Sequence, residues 1–289
     1  MVGPKADSPA PRHPHAGLRA QLGAAVLGQA GPLGEGDQIP DLITVSIVSH
    51  GHAELAQRLF DDLRVHKPRG IEVILTLNIE EALPFDPDSF PFSVRMIRNA
   101  NPRGFAANHN AAFELSRGNF FCVLNPDIRL TADPFWALVG ELAKPGVGAA
   151  APLILDSDGA IEDSARPFPT LSSLVGKALG AAPERYYEIG EESISPDWVG
   201  GMFMLLRRDA FAAVGGFDAR YHLYYEDVDL CARLRLAGYD IRLVPSVSAV
   251  HLARRQSRRD IRYLVWHLHS MIRYILSRRR RKAAKDLAR

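Results

Sequence analysis

LITVSIVSHGH (residues 42–52) and IEVILTL (71–77) bracket a stretch of helical spacing, and these three pieces decide the fold. The first run is rich in β-branched residues and stops at Ser49-His50-Gly51, the pattern of a buried strand entering a loop. Residues 53–66 put Leu55, Leu59, Leu63 and His66 on one helical face, and Pro68 and Gly70 end the helix. IEVILTL is then a second buried strand. Beyond a Pro/Asp-rich loop (84–91), SVRMIRN (93–99) reads as a third strand. Residues 105–116 read as a helix, and NFFCVLN (119–125) as a fourth strand running into Pro126-Asp127. Strand, helix, strand, strand, helix, strand is an α/β order. Continuous apolar strands predict a mostly parallel central sheet flanked by helices. Ligands of such sheets sit at the carboxyl ends of the strands. Three polar loops fall there: Ser49 to His52, Asn99 to Asn110, and Asn125 to Asp127.

The second half is less regular. WVGGMFMLLRR (198–208) predicts a strand entered through two glycines, followed by a short helix at 209–214 that Gly215-Gly216 breaks. Glu226, Asp227 and Asp229 open a helix presenting Leu230, Cys231 and Leu234, with Gly238 placed to end it. YDIRLV (239–244) predicts a strand, and His251 follows a further apolar run.

The chain has 289 residues, 47% hydrophobic and 24% charged, which excludes a wholly disordered, collagenous or coiled-coil protein. Two cysteines, Cys122 and Cys231, both in apolar surroundings, are too few for a disulfide scaffold or a cysteine zinc site and read as buried thiols. Residues 252–289 contain 13 Lys/Arg and 2 Asp/Glu, a net of +11. The preceding 251 residues therefore hold a net of −9 within a total of +2. An acidic body with a basic tail implies a separate partner for the tail. No run reaches the ~18 apolar residues of a spanning helix. Residues 1–40, rich in Pro, Gly, Ala and His, are expected to form a disordered leader and carry no secretion signal.

The acidic group at 226–229 admits two readings. Carboxylates cap helix N-termini well. An aromatic setting (Tyr221-His222-Leu223-Tyr224-Tyr225) also raises a carboxylate pKa and suits a general base. Asp127, in Asn125-Pro126-Asp127, is either a plain turn residue or a carboxylate at the sheet edge, available to a divalent cation on phosphate. Arg103-Gly104-Phe105 is either an ordinary loop or a place where an arginine and backbone N–H groups meet a phosphate. It matches neither the P-loop nor the dinucleotide glycine pattern.

Together, VSIVSHGH (45–52), NPRGFAANHN (101–110), LNPD (124–127), WVGGMFMLLRRDAFAAVGGFD (198–218), YHLYYEDVDLCARLRLAGY (221–239) and VSAVH (247–251) resemble the family-2 inverting glycosyltransferases of GT-A fold, and within them the rhamnosyltransferase-like branch. The resemblance implies transfer of a sugar, rhamnose or another deoxyhexose, from a nucleotide-diphosphate donor (dTDP-rhamnose or a UDP-sugar) with inversion. It implies a carbohydrate or lipid-linked acceptor, in cell-envelope polysaccharide synthesis at the cytoplasmic face of the membrane. It assigns the general base to Asp227, with Glu226 competing. It assigns Mg²⁺ or Mn²⁺ to Asp127 and His251, and donor contacts to Ser49, His50, Asn78, Arg103, Gly104, Asn110 and Asn125. Gly200 and Gly201 fall on the acceptor side. The sequence departs from the family where relatives carry an Asp-Asn pair after the second strand, since Thr76-Leu77-Asn78-Ile79-Glu80 stands there. A catalytically inactive nucleotide-sugar-binding scaffold and a nucleotidyltransferase are the rival readings.

The expected units are a leader at 1–40, the transferase domain at 41–252 and a basic helical tail at 253–289. Within DIRYLVWHLHSMIRYIL (260–276), Leu264, Leu268, Met271 and Ile275 share a face with Ile261 and Ile272, ahead of the basic run 278–282. That helix either packs into the core or lies on an anionic membrane leaflet as a peripheral contact. No nucleic-acid-binding module is visible, and nucleic acid is not an expected partner.

Overall fold

The β-branched run forms β1 (Ile39–Ser49), three residues earlier than the expected start at Leu42. This is a computed structural model. It describes residues 39–170, 187–252 and 261–287, so the expected leader, apart from Ile39 and Pro40, lies outside the described residues. Helix α1 (Ala53–His66) buries Leu55, Leu59, Phe60 and Leu63. Each such side chain contributes roughly 1.5–3 kcal/mol when fully removed from water. The helix ends as Lys67 enters the left-handed region (φ 46°) and its N–H reaches Leu63 O, with Pro68 preventing continuation. The remaining early elements are β2 (Ile71–Leu77), β3 (Ser93–Arg98), α2 (Phe105–Leu115) and β4 (Gly118–Leu124), each within a residue of its expected bounds.

Elements with no sequence expectation include β5 (Ile128–Arg129), α3 (Phe135–Leu142) and β6 (Val147–Leu155). Strand β6 begins VGAAAP, and alanine is a weak strand signal, whereas tertiary burial on both faces decides its state. The run at 198–208 is divided rather than one strand. β7 (Ala165–Arg166) and β8 (Trp198–Val199) form a separate two-stranded ribbon, Gly200–Met202 turn, and β9 (Phe203–Arg207) leads directly into α4 (Arg208–Ala213). The acidic segment opens α5 (Glu226–Leu236). β10 (Asp240–His251) joins both apolar runs into one strand, with a register slip against β6 between Val244 and Ser248. Pro245, which lacks an N–H, sits in that slip. The last helix is α6 (Ile261–Leu287).

Eight strands build one sheet in the order β3-β2-β1-β4-β9-β6-β10-β5. All neighbours are parallel except β9 against β4 and β6, and β5 against β10. One face is covered by α1 and α3, through Leu59, Phe60, Phe135 and Leu138. The other is covered by α2, α4 and α5, through Ala106, Phe211, Leu230 and Leu234. Cys122 and Cys231 are buried and unpaired. The register pairs Ser49 with Leu77, Leu77 with Arg98 and Ile47 with Leu124, so β1 to β4 end on one edge. Antiparallel β9 begins there, with Phe203 opposite Leu124. The expected loops and the glycine turn thus meet at the same edge. Among the described residues, no helix is long and apolar enough to cross a membrane.

Candidate active site

The glycine turn between β8 and β9 is the hub. Met202 O accepts from Asn125 N at 2.8 Å, tying it to the loop that bears Asp127. Gly200 N donates to Ser164 O at 2.8 Å, tying it to the strap before β7. Gly201 N donates to Asp227 Oδ2 at 3.0 Å, tying it to α5. A Cβ at Gly201 would meet Asp227 Cβ at 3.4 Å and the Phe105 ring at 3.5 Å, so three loops converge on this residue.

Asp227 is half-buried, and its second oxygen accepts from Val228 N at 2.8 Å. Burial raises its pKa, while the Gly201 and Val228 N–H groups and the Arg166 charge pull it back. Its neighbour Glu226 is buried, its Oε2 has no partner, and burial and the Asp227 charge push its pKa well up. The chain reaches this pair through two consecutive left-handed tyrosines, Tyr224 (φ 69°) and Tyr225 (φ 65°). Such residues cost on the order of 1–3 kcal/mol each and persist only where neighbours impose them. Helix α6 supplies those neighbours. His267 lies 5.3 Å from the Tyr224 ring and 5.4 Å from the Tyr225 ring, Tyr274 lies 5.6 Å from Tyr225, and Ser270 Oγ donates to Leu223 O at 2.9 Å. On the other side, Phe105 N donates to His222 O at 2.9 Å, and a Cβ at Gly104 would sit 2.7 Å from that oxygen.

At the far end of the hub, β5 and β10 bring Asp127 and His251 together. His251 Nε2 lies 3.5 Å from Asp127 Oδ2, and its Nδ1 is 2.9 Å from Glu162 Oε2. Each ring nitrogen faces a carboxylate, so the charged ring donates to both, and a cation taken up at Nε2 would replace the proton it carries there. Burial opposes charge on the ring, but hydrogen bonds and charge from Asp127 and Glu162 outweigh it and raise the pKa to about 9. Among the described residues, Asp127 Oδ1 is buried without a partner. An orphaned carboxylate oxygen beside an oriented imidazole fits a divalent cation. Among the described residues, no group of three or more His, Cys, Asp or Glu forms a cage, which leaves coordination open to oxygens from a ligand.

The remaining expected residues divide in two. Asn78 is buried. Its Oδ1 accepts from Arg103 N (2.7 Å) and Asn99 Nδ2 (2.8 Å), and its Nδ2 reaches Arg103 O (2.9 Å) and His50 Nδ1 (3.0 Å). Asn110 clasps the Phe217 peptide through both its N–H and C=O. Ser49 Oγ accepts from His52 N. Gly104 begins α2 under the His222 backbone. These four shape the loops with their polar groups spent inside the protein. His50 and Arg103 are exposed and Asn125 half-buried at the strand ends. Sequence reasoning missed Glu162 and Arg166. Arg166 lies over the Trp198 ring at 5.7 Å, and its charge acts on Asp227. The strap that bears both residues is irregular, so no periodic signal marks it. A cavity of about 570 Å³ lined by Asn119, Phe120, Arg207 and Asp209 lies at the opposite edge of β4 and shares none of this chemistry.

The strand order and these edge loops define a GT-A fold. Two solved structures share it. One is GalNAc-T7 with UDP, GalNAc and Mn²⁺ (TM-score 0.59, 17% identity, 76% of this chain and 45% of that one). The other is the mannosyltransferase PcManGT from Pyrobaculum calidifontis with GDP-Man and Mn²⁺ (TM-score 0.54, 20% identity, 82% and 67%). The chain matches the description "Glycosyl transferase family 2" over residues 45–215 and "Glycosyl transferase family group 2" over 173–284. It is 30% identical over 253 residues to the rhamnosyltransferase WbbL of Escherichia coli (strain K12), covering 82% of this chain and 94% of that one. It is 36% identical over 150 residues to an N-acetylglucosaminyl-diphospho-decaprenol L-rhamnosyltransferase of Mycobacterium tuberculosis, covering 48% of each. The chain belongs to glycosyl transferase family 2, and it is a glycosyltransferase.

Proposed function

We propose that this enzyme transfers rhamnose or another deoxyhexose, with inversion, from a nucleotide-diphosphate donor (dTDP-rhamnose or a UDP-sugar). The acceptor is a carbohydrate, free or lipid-linked, and the setting is cell-envelope polysaccharide synthesis at the cytoplasmic face of the membrane. Residues 41–252 are the transferase unit in this reading, and 253–289 a tail in peripheral contact with the membrane. The observation that carries it is Asp227, half-buried, with a raised pKa, fixed by Gly201 N–H on the turn that also fastens the Asp127 loop. The names of the Escherichia coli and Mycobacterium tuberculosis relatives support rhamnose and a lipid-linked acceptor.

Asp227 accepts the acceptor hydroxyl proton as the hydroxyl oxygen bonds to the anomeric carbon. The bond from that carbon to the diphosphate oxygen breaks on the opposite face, and its electron pair leaves with the diphosphate. Asp127 and His251 would hold Mg²⁺ or Mn²⁺, and when bound the cation neutralises charge on the departing diphosphate. Glu162 orients His251, and Glu226 lies buried behind the base, its pKa raised by burial and by Asp227. His50, Arg103 and Asn125 face the donor, on loops that Ser49, Asn78, Gly104 and Asn110 hold in place.

The test is thermal melting with Mn²⁺ and each of the dTDP, UDP and GDP series. Saturation to about 100 Kd adds ~2.7 kcal/mol, a rise of roughly 5–10 °C for a domain of this size. The rise is expected with one series, only with metal, and neither with Asp127→Ala nor with His251→Ala. No rise with any nucleotide favours the inactive-scaffold alternative.

A further inference from the structure

Helix α6 has two unlike faces. The face turned to the body carries Trp266, His267, Ser270 and Tyr274, and its partners are the residues just before the catalytic carboxylates: His222 (4.7 Å from Trp266), Leu223, Tyr224 and Tyr225. The opposite face carries Leu264, Val265, Leu268, Ile272 and Leu276, each 47–63% exposed. At 100° per residue these five fall within about one third of the helix circumference. Of the apolar face read from the sequence, Leu264, Leu268 and Ile272 point outward, whereas Met271 and Ile275 are half-buried and Met271 joins the tyrosine cluster. The same helix continues through Arg278-Arg279-Arg280-Arg281-Lys282.

We propose that this outer face of α6 docks on an anionic phospholipid surface and so presents the catalytic loop to an acceptor held in that surface. A contiguous exposed apolar stripe marks an interaction site. A stripe continuous with a block of cations selects an apolar layer bordered by negative charge, which a bilayer leaflet with anionic headgroups provides. No described helix is long and apolar enough to cross, so α6 lies on the surface. Pairing the stripe with its own copy in parallel would bring the two basic segments together, like charge against like charge. The proposal rests on the glycosyl-transfer reading only for the acceptor. The docking itself needs no donor and no turnover.

The experiment is vesicle flotation of the full chain, without donor or acceptor. It compares vesicles of phosphatidylcholine alone with vesicles of phosphatidylcholine and phosphatidylglycerol. The expected result is flotation with the anionic vesicles, weakened by salt, and none with phosphatidylcholine. The Leu268→Glu, Ile272→Glu variant loses about tenfold or more in partition, since each buried aliphatic side chain is worth at least a factor of ten. Its melting temperature stays at the wild-type value, because both positions are exposed. Arg278→Glu with Arg279→Glu also reduces flotation, through charge alone. The proposal is overturned if the wild type does not float, floats equally on both vesicles, or floats unchanged in the Leu268→Glu, Ile272→Glu variant. It is also overturned if the wild type sediments as a dimer that this variant converts to a monomer, since the stripe then belongs to a second copy.

Discussion

Replacing Asp227 by Asn changes one oxygen to an NH₂ and leaves the shape intact. The wild-type carboxylate accepts from Gly201 N at 3.0 Å and from Val228 N at 2.8 Å. An amide can accept only one of these, and an unpaired buried N–H costs about 1–3 kcal/mol. That corresponds to a fall in Tm of roughly 2–12 °C. The catalytic effect is larger. Losing a positioned base lowers kcat by about 10²- to 10⁴-fold, roughly 2.7–5.5 kcal/mol of transition-state stabilisation. The assay is nucleoside-diphosphate release at saturating donor and acceptor, paired with the donor-dependent rise in Tm. The variant is expected to bind donor and to turn over at no more than a hundredth of the wild-type rate. Wild-type turnover would refute the reasoning, and a dead Glu226→Gln in the same experiment would move the base to the buried neighbour.

Gly104→Ala is expected to destabilise by about 1–3 kcal/mol, because its Cβ would lie 2.7 Å from His222 O and 2.9 Å from His222 Cα, and a backbone neighbour yields poorly. Turnover should fall with it while β-sheet circular dichroism persists; unchanged melting and rate would show that the His222 loop moves freely. Glu226→Gln is expected to be stabilising at higher pH. The folded pKa of Glu226 is raised, so its contribution is fully present below the ordinary carboxylate range and is lost as pH rises through the raised value. Melting of variant and wild type between about pH 5 and about pH 8 should show the difference growing in the variant's favour as pH rises, and a constant difference would show that Glu226 does not titrate there.

The sheet was legible because its early strands are apolar runs of β-branched residues and the intervening helices have clean periods. β2 is buried at every position, as IEVILTL implies. Residues 128–197 were not legible, since β6 draws its strand state from burial between β9 and β10 rather than from VGAAAP itself. The candidate site was legible where one residue type carries the chemistry, as with Asp127, Asp227 and His251. It was not legible where distant pairing does. Glu162 meets His251 across 89 positions of sequence. Asn78 shows the same dependence on distant pairing. Its amide bonds to Asn99 and the Arg103 peptide, and Asn108 holds both of those in turn. A loop beside a bound ligand needs its own backbone satisfied before it can present anything else.

The same point bears on how Asp227 is held. It stands at the start of a helix whose preceding residue, Tyr225, is left-handed and gives no side-chain cap. Nothing local to residues 221–226 favours that path over a relaxed one. The path is imposed from three sides: by α2 through Gly104 and Phe105, by the glycine turn through Gly201, and by α6 through His267, Ser270 and Tyr274. Each support comes from a different part of the chain. The α2 loop lies at the strand-end edge proposed for the donor, and α6 carries the exposed apolar stripe proposed to dock. A strained loop supported in this way stays in its catalytic conformation only while those surfaces keep their places. On the proposed reading, loss of any one of these supports is expected to release the loop and move Asp227 without a change at Asp227 itself.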